Sequence, residues 1–237
     1  MQSNTFTVYN SKKKIKKDNL GNSCAKGIVL NLNGLFKCSA YKMKYKMNVK
    51  KVALFASGSG TNAENIINYF NDNDDVIIDS LWSNKPGAFA LKRAQKLGVD
   101  AFVFNRDKFY HSDEIVSKLK DRSIDLIVLA GFLWLVPLNL IQNFSIVNIH
   151  PALLPKYGGK GMYGMNVHKA VVESGEKESG ISIHFVNEKF DEGELFFQAR
   201  CPVLPSDKPE DVAEKVHQLE YKHFPAIIEA ILRKSES

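Results

Sequence analysis

The sequence is poor in cysteine and has no long hydrophobic run. Cys24, Cys38 and Cys201 are odd in number and widely spaced, which argues against a disulfide framework and suits the reducing cytoplasm. None lies at metal-ligand spacing from another cysteine or histidine, so no metal site is expected. No apolar run approaches the roughly 20 residues that span a bilayer, so no membrane partner is expected.

Acidic residues are nearly absent from the first 51 residues. Twelve lysines and no arginine stand there against one acid, Asp18, which leaves a charge of +11. The rest of the chain has 20 basic against 25 acidic residues, which leaves −5 and gives no electrostatic reason to bind nucleic acid.

This charge division predicts two regions, a basic, disordered extension over residues 1–50 and a folded domain over residues 51–237. A translation start at Met43 or Met47 is an alternative explanation of the extension. A targeting peptide is another alternative, although such peptides favour arginine.

From residue 51 onwards, short apolar runs alternate with segments of helical periodicity. Residues 52–56 form a continuous apolar run, as in a strand buried on both faces, and residues 61–70 have apolar side chains at helical spacing. This βαβα order predicts an α/β fold, a Rossmann-like and mostly parallel twisted sheet with helices on both faces. The further predicted strands are 76–82, 100–104, 126–130, 146–149, 181–186 and 195–203, and the further predicted helices are 88–97, 112–119, 137–142 and 209–232.

The loop at residues 57–62 joins the first predicted strand to the first helix. Gly58 and Gly60 allow a close backbone approach, and the open N–H groups of the helix start favour an anion such as phosphate. A dinucleotide site is a competing interpretation, because Gly58, Gly60 and Ala63 fit the G-x-G-x-x-A spacing. The acid that such a site needs at the end of the second strand is missing, since Asp79 lies in the middle of that strand. A plain tight turn is the remaining alternative.

Asn148 and His150 follow the predicted strand that starts at Ile146. Residues i and i+2 of a strand point to the same side, so the two side chains are expected to face together at the sheet edge. An amide can stabilise an oxyanion and an imidazole can move protons, a combination suited to acyl transfer. Asp191, in a turn between two later strands, is placed to orient His150 and raise its pKa. A strand-end cap and an ordinary turn acid are the alternatives.

Three other histidines receive no functional role from the sequence. His184 lies on a predicted core strand, where a structural histidine is expected. His168 and His223 are expected to be structural or surface residues.

Several separate motifs then occur in one order. They are ASGSGTN (56–62), SNK (83–85), LAGF (129–132), NIHPALLPKY (148–157), SIHFV (182–186) and the Asp191 turn. In these motifs the chain, from residue 51 to about residue 233, resembles the folate-dependent phosphoribosylglycinamide formyltransferases, which act in purine synthesis.

The resemblance implies the chemistry and the residues that carry it. The donor would be 10-formyltetrahydrofolate, the acceptor the glycyl amine of glycinamide ribonucleotide, and no metal would be required. Asn148, His150 and Asp191 would be catalytic. Our mechanistic hypothesis is that Asn148 and a protonated His150 stabilise the oxyanion and that Asp191 supports the imidazolium. Other positions that match family binding sites are Gly60, Thr61, Asn62 and Glu220 for the ribonucleotide and Phe132, Leu133, Trp134, Leu135 and Val136 for the pterin. Other members carry arginine in place of Trp134, and Arg106 is a nearby but unassigned candidate for an arginine that contacts the folate.

Three other functions compete with this interpretation. A formyltetrahydrofolate hydrolase would use the same three residues to pass the formyl group to water, but it usually has a larger N-terminal domain. A methionyl-tRNA formyltransferase would need a C-terminal RNA-binding domain. A non-catalytic nucleotide-binding module would need only the phosphate loop.

Overall fold

The computed structural model describes residues 8–10, 13–15 and 49–234, and the chain divides into two compact units, Met1–Met47 and Asn48–Ser237. In the first unit, strands β1 (Val8–Asn10) and β2 (Lys13–Ile15) pair antiparallel. We predicted no regular element there; valine, tyrosine and isoleucine, which these strands contain, favour extended structure. The predicted disorder of the other residues of the extension lies outside the described residues.

The second unit is built on a seven-stranded sheet. Its strands are β3 (Lys50–Phe55), β4 (Val76–Ser83), β5 (Asp100–Val103), β6 (Leu126–Leu129), β7 (Ser145–His150), β8 (Glu178–Phe185) and β9 (Leu195–Pro202). They lie in the order β5-β4-β3-β6-β7-β8-β9. The first five strands of this order are parallel, and β8 and β9 are antiparallel to their neighbours. The predicted mostly parallel α/β sheet is therefore confirmed.

Seven helices accompany the sheet in this unit. They are α1 (Thr61–Phe70), α2 (Phe89–Lys96), α3 (Arg106–Tyr110), α4 (Glu114–Asp121), α5 (Leu138–Asn143), α6 (Met165–Glu173) and α7 (Pro209–Lys234). In this part of the chain, no helix is long and apolar enough to cross a membrane.

The strand alternation divides the core into two layers. Val52 and Leu54 of β3 face one layer, which also holds buried side chains of α1, α2 and α7. Ala53 and Phe55 face the other layer, which holds aromatic and aliphatic side chains of α3, α4 and α5. Both faces of the sheet are thus covered, which accounts for the continuous apolar run in this strand.

Two helices were absent from the sequence prediction. Helix α3 has five residues, too few to show a periodicity, and begins where the Asn105 side chain accepts a hydrogen bond from the Lys108 N–H at 2.9 Å. Helix α6 buries Val167, His168 and Val171. The helical spacing of apolar residues in this segment was weak, because a histidine occupies one of the three buried positions.

The order of the strands in the sheet predicts where a ligand cavity lies in this fold. From β3 the chain proceeds to β4 and β5 on one side, and it then returns to the other side of β3 as β6. In open α/β sheets, ligands bind outside the carboxyl ends of the strands at such a reversal. The loops that follow β3 and β6 both lie there.

Candidate active site

A cavity of about 770 Å³ opens at the carboxyl ends of β3, β6 and β7. All of the residues that the sequence analysis assigned to catalysis or binding line this cavity. They are Gly60, Thr61, Asn62, Phe132, Leu133, Trp134, Leu135, Val136, Asn148, His150, Asp191 and Glu220. Positions more than 150 residues apart in the chain thus share one site.

Asp191 lies between the amide and the imidazole of the Asn148–His150 pair. Its Oδ1 lies 3.4 Å from Nδ2 of Asn148, and its Oδ2 lies 3.4 Å from Nδ1 of His150. The N–H of Gly159 donates to Oδ2 at 2.9 Å and holds the carboxylate in place. Asp191 has a φ of 57°, a left-handed conformation that aspartate tolerates better than most residues. The Asp191 carboxylate therefore contacts both Asn148 and His150, the two residues that the sequence analysis expected on one side of a strand.

The hydrogen bonds of His150 determine which of its nitrogens can exchange a proton. Its Nε2 lies 2.7 Å from the backbone oxygen of Tyr157, and a carbonyl can only accept, so Nε2 carries a hydrogen. Nδ1 is then the nitrogen that gains or loses a proton, and it faces Asp191. His150 is almost fully buried, with 3% of its surface exposed.

Burial and charge oppose each other in the pKa values of this pair. Burial lowers the pKa of His150 below its ordinary value, although the Asp191 carboxylate and the Tyr157 carbonyl act to raise it. Burial by itself would raise the pKa of Asp191, but the nearby His184 side chain, the attraction to His150 and the Gly159 N–H outweigh burial, so this pKa lies below its usual range. At neutral pH the free protein therefore favours a neutral imidazole beside a carboxylate. The sequence-based mechanism had used a protonated His150.

His184 belongs to the same site, although the sequence suggested only a structural role. It pairs with Asn148 across β7 and β8, and its Nε2 lies 3.2 Å from Nδ2 of Asn148 and 3.6 Å from Oδ1 of Asp191. Its Nδ1 lies 2.9 Å from the carbonyl oxygen of Phe185, which fixes a hydrogen on Nδ1. The sequence carried no signal for this contact because it depends on the register between the two strands.

The loop after β3 approaches helix α2 closely. Gly60 has a φ of 74°, and a Cβ atom there would lie 2.4 Å from Cα of Ala90, so the backbone allows only glycine at this contact. The side chain of Ser57 accepts a hydrogen bond from the N–H of Leu133 at 3.1 Å, which joins this loop to the segment after β6. At the helix start, Nδ2 of Asn62 donates to Oε2 of Glu220 at 2.9 Å. Two predicted substrate residues are therefore hydrogen-bonded to each other.

The segment after β6 presents an apolar wall to the cavity. Phe132 and Val136 are buried in the core, Leu133 is exposed, and Trp134 packs against Phe104 and Phe109.

Arg106 lies beside this wall. Its guanidinium lies 5.0 Å from the ring centre of Tyr110 and 5.8 Å from that of Trp134. The hydroxyl of Tyr110 donates to the carbonyl of Leu135 at 3.0 Å, which ties α3 to the wall.

Comparison with known proteins identifies the class. The family model of formyl transferases matches residues 50–228, a range that contains the whole sheet and every predicted site residue. Among residues 49–234, no group of three or more histidine, cysteine, aspartate or glutamate side chains is arranged to hold a metal ion.

Individual relatives show which kind of formyl transferase this chain resembles. Phosphoribosylglycinamide formyltransferase of Haemophilus influenzae is 37% identical over 187 residues, which cover 76% of this chain and 86% of the relative. The chloroplastic enzyme of that name from Arabidopsis thaliana is 42% identical over 192 residues, and the match covers 77% of this chain but 65% of that longer protein. The crystal structure of glycinamide ribonucleotide transformylase 1 from Geobacillus kaustophilus superposes with a TM-score of 0.70 at 35% identity, over 78% of this chain and 99% of that one. The chain belongs to the formyl transferase family, and within it to the phosphoribosylglycinamide formyltransferases.

Proposed function

We propose that this protein transfers the formyl group of 10-formyltetrahydrofolate to the glycyl amine of 5′-phosphoribosylglycinamide, a step in purine synthesis. The observation that carries the proposal is the contact of Asp191 with both Asn148 and His150, inside the cavity that also holds the phosphate loop. Family membership supports the substrates, because relatives named for this reaction align with 76% and 78% of this chain.

Substrate binding divides the cavity into two halves. The phosphate of the ribonucleotide lies against residues 57–62, where the start of α1 favours an anion, and the ribose lies beside Glu220. The pterin ring lies along Phe132–Val136, whose mixture of apolar side chains and backbone polar groups suits a flat, partly polar ring. The glycyl amine and the formyl carbon meet between the two halves, next to Asn148 and His150.

The neutral imidazole acts first as a base. As the unprotonated glycyl amine attacks the formyl carbon, Nδ1 of His150 accepts one proton from the amine, and Asp191 stabilises the resulting imidazolium. The side-chain amide of Asn148 donates a hydrogen bond to the formyl oxygen while that oxygen gains negative charge. His150 then returns the proton to the folate nitrogen as the bond from that nitrogen to the formyl carbon breaks. The products are the N-formyl amide and tetrahydrofolate.

A transfer assay tests this function directly. The purified protein is given 10-formyltetrahydrofolate, with and without 5′-phosphoribosylglycinamide, and loss of the formyl group is followed by absorbance. We expect deformylation that depends on the ribonucleotide and is accompanied by one equivalent of formylated product. Equal deformylation without the ribonucleotide would identify a hydrolase. Ribonucleotide binding without deformylation would identify a non-catalytic module.

A further inference from the structure

A second cluster of polar side chains lies in the cavity beside the phosphate loop. Oε2 of Glu220 accepts one hydrogen bond from Nδ2 of Asn62 at 2.9 Å and lies 2.8 Å from Nδ1 of His217. His168, on α6, faces His217 with 6.4 Å between the ring centres. All four residues line the cavity, and Glu220 and His168 are almost fully buried, with 5% and 2% of their surfaces exposed.

Two atoms of this cluster are buried without a hydrogen-bond partner. They are Oδ1 of Asn62 and Nδ1 of His168. Buried polar atoms normally have a partner, because leaving one unpaired costs about 1–3 kcal/mol. Other unpartnered buried atoms within residues 49–234 belong to Asn84, Asn139 and Ser179, which do not line this cavity. Both unpartnered atoms of the cluster therefore belong to side chains that line the cavity, and each still lacks the hydrogen bond that a buried polar atom normally makes.

The charges of the cluster favour a neutral hydroxyl group at His168. Burial, followed by the neighbouring His217, lowers the pKa of His168, while Glu220 acts to raise it. The hydrogen bond to Glu220 raises the pKa of His217, so His217 takes up a proton more readily than His168 does. A neutral imidazole nitrogen can pair with a hydroxyl group, which both donates and accepts. The phosphate, in contrast, has the N–H groups at the start of α1.

We propose that His168 is a further substrate-binding residue, whose Nδ1 forms a hydrogen bond with a ribose hydroxyl group in the subsite that Asn62 and Glu220 also line. The identity of the ribose as part of 5′-phosphoribosylglycinamide rests on the proposed function. His168 acts in binding and has no part in the proton transfers, so its loss raises the KM for the ribonucleotide and leaves kcat and the KM for the folate nearly unchanged.

Calorimetric binding of three sugar phosphates tests the contact without any turnover. The ligands are ribose 5-phosphate, 2-deoxyribose 5-phosphate and 3-deoxyribose 5-phosphate, and the proteins are wild type, His168→Leu and His168→Asn. We expect His168→Leu to weaken ribose 5-phosphate binding by about 5- to 100-fold, the effect of leaving a hydroxyl group unpaired. One of the two deoxy sugars should bind to wild type and to His168→Leu equally, because it lacks the group that His168 contacts. His168→Asn, which keeps a polar atom near the position of Nδ1, should recover much of the affinity.

Three results would overturn the proposal. They are no binding of ribose 5-phosphate by wild type, unchanged binding in His168→Leu, and an equal loss for all three sugars, which would indicate a general structural effect. His223→Leu, on the same α7 helix as His217 but outside the cavity, is the matched control and should bind like wild type. The binding measurements are independent of the transfer assay. If the sugar pattern holds but the ribonucleotide is not formylated, the ribose subsite stands and the proposed function fails.

Discussion

At the residue scale, Asp191 connects the two other proposed catalytic residues of the site, Asn148 and His150. Its two carboxylate oxygens reach Asn148 on one side and His150 on the other, and the Gly159 N–H holds it there. Asn148 and His150 were expected to face together, because strand side chains alternate with a period of two. The approach of Asp191 was a hypothesis, and His184 was missed, because both contacts depend on the antiparallel pairing of β7 with β8.

Replacing Asn148 tests its role as the oxyanion donor. We expect Asn148→Ala to lower kcat by about 100- to 1,000-fold while the protein stays folded, because the formyl oxygen loses a hydrogen bond as it becomes charged. Steady-state kinetics and circular dichroism measure the two effects. Asn143→Ala, at an exposed position outside the cavity, is the matched control and should keep wild-type kcat. A loss of less than about fivefold in Asn148→Ala would remove this residue from the mechanism.

A second prediction at this scale concerns the protonation of His150. Its pKa is lowered by burial and partly restored by Asp191, so the imidazole should titrate below the ordinary histidine value of about 6.5. Removing the carboxylate in Asp191→Asn removes an attraction that favours the imidazolium, so the midpoint should fall further. NMR titration of the histidine Cε1–H signals measures both midpoints, with His150→Gln to assign the signal. A midpoint that rises in Asp191→Asn would show that the Asp191 carboxylate does not raise the pKa of His150.

At the element scale, the approach of α1 to α2 shapes the phosphate loop. Gly60 directly precedes α1, has a left-handed backbone and lies against Ala90 of α2. The glycine pattern could be identified from the sequence because it is local. Helix α6 could not, since the inward position of His168 makes sense only once α7 covers it and the cavity opens beside it.

Alanine at Gly60 should therefore be strongly destabilising. We expect Gly60→Ala to lower the free energy of unfolding by about 2–5 kcal/mol, from about 1–2 for the left-handed backbone and about 1–3 for the overlap with Ala90. Gly98→Ala is the matched control, because Gly98 has the same sign of φ but nothing within 4 Å of an added Cβ, and it should lose only about 1–2 kcal/mol. Urea unfolding measures both values. Equal losses would show that the contact with Ala90 relaxes without cost.

At the scale of the whole molecule, the sheet and cavity belong to the unit Asn48–Ser237, and the lysine-rich charge belongs to the segment before it. The family model also begins at residue 50. We propose that residues 51–237 are the functional domain and that the basic extension is dispensable for formyl transfer.

Removing the extension tests this division. We expect a chain that starts at Met47 to fold with wild-type kcat and KM. Its formal charge should change from +6 to −3, because 22 basic residues then stand against 25 acidic ones, so it should move from cation-exchange to anion-exchange retention near neutral pH. Transfer kinetics and ion-exchange chromatography measure these outcomes. Loss of activity in a folded protein would assign a function to the extension.

The sequence by itself determined the features that depend on near neighbours in the chain. These are the alternation of strands and helices, the glycine loop, the Asn148-x-His150 pair and the family to which the motifs belong. Tertiary structure alone decided which distant groups meet, namely Asp191 and His184 with Asn148, and His168 with His217. The physical reason is that helical and strand periods are local, whereas strand register and helix packing join residues that no period relates. Burial, which lowers the pKa of His150 against the pull of its carboxylate, is likewise a property of the folded chain.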